Sequence, residues 1–272
     1  MFELFSYQFF VMAIVAVVLI SISAAIIGTY ILTRRLVAIS GGVTHACFGG
    51  LGLGYFLGIN PILPAAGFAI ASSMAVEWMS RRLHLREDSA IAVIWAIGMA
   101  IGVIFVFITP GYVPELTSFL FGNILTISAA DLWAFAIYTA VLVTFFCLLY
   151  RQIVACAFDR DFAQVSGLPV RFITYAMTTL TAVGIVLTIR LVGVMLLMSM
   201  LSLPMMTAEV FSRRYRSIML LSVGISLVCS IAGLLIGARA DIPCSAFIVL
   251  LMASAFILAK LLFKLRPSSA KA

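Results

Sequence analysis

The chain has 272 residues, of which 64% are hydrophobic and only 10% charged, and its mean hydropathy is +1.24. Soluble domains carry about a quarter charged residues, so this composition cannot assemble a water-soluble surface. The net charge of +7 does not point to nucleic acid, because the basic residues stand in short clusters between apolar runs and not along one polar face.

Residues 1–20 lack the basic flank and small-residue cleavage site of a secretory signal, and the apolar run is too long for one, so a retained first span is expected. About 20 apolar residues cross the roughly 30 Å hydrocarbon layer, and runs of that kind place spans near 8–32, 37–58, 61–80, 89–109, 131–150, 172–189, 191–208, 217–237 and 243–263. Backbone groups in lipid must be satisfied within the segment, and the two-residue alternation of a barrel strand is absent. The fold class is therefore all-α, a polytopic transmembrane helical bundle of eight to nine spans, with one domain over 1–272.

Cytoplasmic loops collect Lys and Arg. With nine spans, 15 of the 17 basic residues fall on one side, from Arg34 and Arg35 to Lys264 and Lys271, and only Arg190 and Arg239 on the other. An external N-terminus and a cytoplasmic C-terminus follow. The apolar stretch 172–208 is interrupted only by Arg190, for which a tight external hairpin is expected; the alternative is an arginine paired inside the bundle. The stretch 110–125, bounded by Pro110 and Pro114, is too short to cross and reads as an interfacial or re-entrant helix. Cys47, Cys147, Cys156, Cys229 and Cys244 show no C-x-x-C spacing and read as packing residues.

There is no G-x-x-x-x-G-K-[ST] loop, no H-E-x-x-H and no G-x-S-x-G, so the chain has no P-loop with which to hydrolyse ATP. The second span carries the most information. Gly42, Ala46, Gly50, Gly54 and Gly58 recur every four residues, a stripe that lets another helix approach closely. Gly41, Gly49 and Gly52 lie within about 40° of His45 on the helical wheel, so a small cavity beside the ring is expected. A histidine at mid-membrane depth is a functional candidate, and neutral imidazole is the metal-binding form; the plainer alternative is a hydrogen bond across a helix interface.

Glu77 is read as the partner of Arg81 one turn on. Met195, Met198, Met200, Met205 and Met206 do not hold one face and read as packing. Pro204 is expected to break a helix, and the following residues to Arg216 to form a short surface helix, serving either as a lever seated in a partner's groove or as a basic loop that fixes topology. Residues 150–172, with mixed charge at Asp159, Arg160 and Asp161, read as a solvated loop.

Six stretches in this order resemble the membrane subunits of the bacterial zinc, manganese and iron ATP-binding-cassette importers: THA at 44–46, EDSAI at 87–91, FLFGNILTIS at 119–128, FDRDFAQVSGLPV at 158–170, RLVGVMLLMSMLSLPMMTAEV at 190–210 and DIP at 241–243. The resemblance covers most of the chain. It implies a vitamin B12/metal-type ABC importer permease fold in the bacterial inner membrane, with no ATPase site and no cofactor of its own. ATP would bind on a separate ATP-binding-cassette subunit, an extracytoplasmic metal-binding lipoprotein would deliver Zn²⁺, Mn²⁺ or Fe²⁺, and a homodimer would form the path at its interface.

The resemblance also implies that Pro204 to Arg216, including Glu209, Arg213 and Arg214, is the segment that couples to the ATPase. Where the family has G-D-x-x-x-H-A, this chain has Gly41 in place of the aspartate, leaving His45 with Thr44 and Cys47 as path candidates. Cys244, Ser245 and Ala246 stand where the family commonly has S-G-P. Two other classes stay open from the residues alone, a secondary carrier driven by an ion gradient and a non-transporting membrane scaffold or intramembrane enzyme.

Overall fold

The structure is a computed structural model and describes residues 7–110, 122, 127–240 and 242–265. The helix expected over 110–125, most of the 119–128 stretch and Asp241 lie outside the described residues. Eleven helices are described in chain order: α1 Gln8–Thr33, α2 Val37–Leu57, α3 Ile62–Arg82, α4 Glu87–Ile108, α5 Ala129–Leu148, α6 Tyr150–Phe158, α7 Arg160–Val165, α8 Val170–Val192, α9 Val194–Phe211, α10 Tyr215–Ala240 and α11 Cys244–Leu265. Among the described residues, nine are long and apolar enough to cross a membrane. These nine match the expected spans to within a few residues, and Arg34, Arg35, Arg81, Arg160 and Arg213 come together through shared ion pairs and adjoining clefts at one end, the basic end.

The helix boundaries have local causes. The expected packing role of Gly58 is corrected: α2 stops at this residue, whose φ of 66° is left-handed and which has open space around it, so backbone conformation and not packing requires glycine there. Ser128 accepts from the Asp131 amide to start α5, and Asp159 accepts from the Phe162 amide to start α7. Acidic Glu87 and Asp88 occupy the first turn of α4, where the helix dipole favours negative charge.

α1, α2 and α8 bury most of their length, whereas α4 and α11 expose most of theirs. α2 packs extensively on α4 and α3, α3 on α8, α1 on α10 and α9, and α9 on α11. Polar pairs tie the inner helices. Ser226 donates to Ser21 at 3.0 Å, the Ser23 and Thr139 hydroxyls share a bond of 2.9 Å, and the Tyr138 phenol donates to the Leu180 carbonyl at 2.8 Å, passing over Gly184. The five cysteines are free. Met205 packs against Gly28 and Met198 against Gly41, so the methionines serve different interfaces.

Two expectations are corrected and a third is extended. Pro204 does not break its helix: it is buried inside a continuous α9, and only Ser212 to Arg214 separate α9 from α10, so no surface helix forms over Pro204 to Arg216. The early turns of the following span absorb Tyr215 and Arg216. Residues 150–172 are not a solvated loop, since α6 and α7 occupy most of them. Third, the hairpin at Arg190 forms, α8 and α9 being joined by Gly193 alone at φ 82°, but its arginine also pairs with Asp131 of α5 at 2.7 Å.

Candidate functional site

The second span builds the site through its small residues, which divide between two partner helices. Gly50 and Gly54 face Pro64, Ala65 and Pro61 of the α3 entry, and Gly42 faces Ile91 of α4. A Cβ on Gly98 would lie 2.5 Å from the Ala46 Cα, and one on Gly102 would lie 2.5 Å from the Phe48 carbonyl. The α2 and α4 backbones therefore touch. Gly98 and Gly102, one turn apart on α4, complement the α2 stripe and were missed in the sequence, although their four-residue spacing is the same signal.

This approach sets Trp95, three residues before Gly98, flat on His45: the ring centroids are 4.7 Å apart and the planes differ by 2°. Phe48 stacks on the same imidazole at 5.9 Å. His45 is half-buried and its Nδ1 is buried without a hydrogen-bond partner. The space at the three glycines beside His45 is taken up by neighbours. Gly41 faces Met198, Gly49 faces Phe68 and Gly52 faces Gly102, so helix packing uses the volume that the missing side chains leave, and aromatic rings lie against His45.

Thr44 and Cys47 do not join His45. Both are buried, and each donates to its own helix backbone, Thr44 to the Ser40 carbonyl and Cys47 to the Val43 carbonyl at 3.0 Å. Cys47 lines a cavity of about 20 Å³ with Ile62, Ala65, Val186 and Ile189, between α2, α3 and α8. Among the described residues no three His, Cys, Asp or Glu side chains are grouped to hold a metal ion.

At the basic end, charges that the sequence places far apart come together. Glu77 accepts from Arg81 Nε at 2.6 Å, as expected from their spacing. It also pairs with Arg160 of α7 and, at 3.5 Å, with Arg34 at the end of α1. Glu87 of α4 pairs with the same two arginines, at 2.8 Å with Arg34 and 3.7 Å with Arg160. Burial opposes the charge of Arg34, but Tyr30, Glu87 and Glu77 outweigh it and hold the guanidinium above its ordinary value. Burial and the nearby Arg34 pull Arg160 the other way, with Glu77 opposing.

Beside the cluster, a cleft of about 520 Å³ is lined by Leu32, Thr33, Arg35 and Val37 of the α1–α2 corner, Phe158, Glu209, Arg213 and Ile218. Glu209, Arg213, Arg214 and Arg216 are exposed. On α7, Phe162 and Val165 are 66% and 89% exposed, which leaves an apolar face at the basic end that none of the described residues covers.

The chain as a whole has counterparts among known proteins. Residues 6–263 match the model of the ABC 3 transport family. The chain is 36% identical over 249 residues to a probable metal transport system membrane protein of Chlamydia trachomatis, covering 89% of this chain and 85% of that one. A manganese transport system membrane protein, MntC, of Halalkalibacterium halodurans is 28% identical over 94% of this chain and 88% of its own. Among solved structures, PsaBC from Streptococcus pneumoniae in complex with Fab superposes with a TM-score of 0.80 at 25% identity, covering 93% of this chain and 91% of that chain. The chain belongs to the ABC 3 transport family. It is a membrane permease of the metal-type ABC transporters.

Proposed function

We propose that the chain is the permease subunit of an ATP-driven importer for a divalent metal ion, Zn²⁺, Mn²⁺ or Fe²⁺. Two copies form the path at their interface, a separate ATP-binding-cassette subunit binds and hydrolyses ATP, and an extracytoplasmic metal-binding lipoprotein supplies the ion. The basic end and the C-terminus face the cytoplasm of a bacterial inner membrane. The observation that carries this reading is His45: a half-buried imidazole at membrane depth, with an unpartnered Nδ1, held flat on Trp95 at the α2–α4 contact. Its lone pair is committed to no protein group, so a divalent ion can take it when α2 and α4 shift and uncover the nitrogen. Relatives named for metal and manganese transport support the cargo class.

Coupling to the ATPase is assigned to a composite surface at the basic end. Glu209 and Arg213 share their cleft with Phe158 and the α1–α2 corner, and α7 presents Phe162 and Val165 beside it. Pro204 of α9, Arg214 of the connecting turn and Arg216 in the first turn of α10 contribute through the α9–α10 junction. A gradient-driven carrier would need a free carboxylate within the membrane. Among the described residues Glu77 is held by three arginines and Asp131 by Arg190, which favours the ATP-driven reading.

The test is uptake into vesicles that contain the chain assembled with its ATPase. Parent complex takes up the divalent ion only with ATP. His45→Ala lowers uptake by about tenfold with the complex intact. Normal accumulation by that variant removes His45 from the path, and uptake without ATP overturns the class.

A further inference from the structure

Four of the charges at the basic end form a closed ring. Arg34 meets Glu77 at 3.5 Å and Glu87 at 2.8 Å, and Arg160 meets the same two carboxylates, Glu87 at 3.7 Å. Each member comes from a different element: the end of α1, the last turns of α3, the first turn of α4 and the start of α7. Glu77 and Arg34 are nearly buried, with side chains 5% and 7% exposed, whereas Arg160 and Glu87 are partly open at 29% and 25%. The ring therefore has an inner half fixed in the bundle and an outer half within reach of whatever touches α7.

Glu87 and Trp95 are eight residues apart on α4, about 12 Å along one uninterrupted helix. The ring thus stands at one end of a rigid rod whose middle holds the His45 contact. Planar guanidinium groups can bridge two carboxylates at once, which a single ammonium does poorly.

We propose that the Arg34–Glu77–Arg160–Glu87 ring is the joint through which displacement of α7 is passed to α4, with Arg160 and Glu77 as positioning residues for transport. The proposal rests on the ATP-driven reading above and adds the route by which motion at the cytoplasmic surface reaches the His45 site. A shift of α7 pulls on Glu87 through Arg160 and turns α4 against α2, because Glu77 and Arg34 hold the rest of the ring in place. Arg81, which also bonds Glu77, keeps that carboxylate charged and oriented while Arg160 moves.

The test uses the complete transporter in vesicles and reads ions moved per ATP hydrolysed, together with the melting temperature of the complex. Arg160→Lys keeps the charge but not the bridge; it is expected to assemble, melt close to the parent and hydrolyse ATP, yet to lower the ion-to-ATP ratio by about fivefold or more. Glu77→Gln is expected to lower the ratio at least as far and to melt earlier. A purely structural cluster would reduce the amount and melting temperature of the complex while leaving the ratio of the surviving complex unchanged, and that result in both variants overturns the proposal. Parent complex without ATP-dependent uptake shows instead that the underlying reading has failed, before any variant is compared.

Discussion

His45 and Gly41 lie one turn apart on the same face of α2, and the space a side chain at Gly41 would use holds the Met198 methyl, 2.9 Å from the position of a Cβ. That obstacle is the end of a flexible side chain, so a larger residue fits if Met198 swings away. Gly41→Asp therefore adds a carboxylate beside the imidazole without disturbing the backbone. Carboxylate favours hard ions such as Mn²⁺ over softer competitors, so the variant is expected to raise Mn²⁺ uptake relative to Zn²⁺ severalfold, measured by competition in the same vesicles. An unchanged ratio would show that position 41 does not face the ion. At this scale the sequence discloses a residue's depth and its neighbours within one turn. His45 at mid-span and the Glu77–Arg81 pair were readable on those grounds. Trp95 and Arg160, 50 and 83 residues from the groups they meet, were not, because no periodicity within a helix encodes which other helix arrives.

Between helices, the small-residue stripe sets how close two axes come, and its positions are not equivalent. A Cβ at Gly50 would run into the Pro64 carbonyl and the Ala65 backbone, whereas one at Gly67 meets nothing within 4 Å. Gly50→Ala is expected to destabilise the bundle by about 1–3 kcal/mol through forced separation of α2 and α3. Gly67→Ala, in an open helix position, is expected to be neutral or to stabilise by about 0.5–1 kcal/mol. Thermal unfolding of the two variants in one detergent checks the contrast, and equal shifts would mean that α2 and α3 are not in backbone contact. Apolar length made all nine spans legible, since lipid admits few other solutions. The short helices α6 and α7 were lost because mixed charge at 159–161 masks a small apolar face. Asp159 two residues before another acidic position and three before Phe162 was the capping signal that could have found α7. Pro204 misled in the opposite direction: in a buried helix, packing from neighbours holds the two halves in line despite the missing amide.

For the whole molecule, the decisive property is sidedness. Single cysteines at exposed Arg82, Arg151 and Arg214 are expected to react with an impermeant maleimide only from the cytoplasm, and one at exposed Arg239 only from outside. Mixed labelling among the first three would break the nine-span arrangement. Within that frame the bundle has a firm interior of α1, α2 and α8 and two open flanks, α4 and α11, a division that hydropathy could not foretell because lipid-facing and protein-facing positions are equally apolar here.

The junction at Gly193 limits what such a bundle can do. One residue supplies about 3.8 Å of chain, less than the 5.4 Å of a helical turn, so α9 cannot slip by a turn along α8 unless one of them unwinds. Held by Asp131 through Arg190 as well, this pair has no slack at its far end and can only pivot there like the closed end of tweezers, opening widest where the basic tips lie.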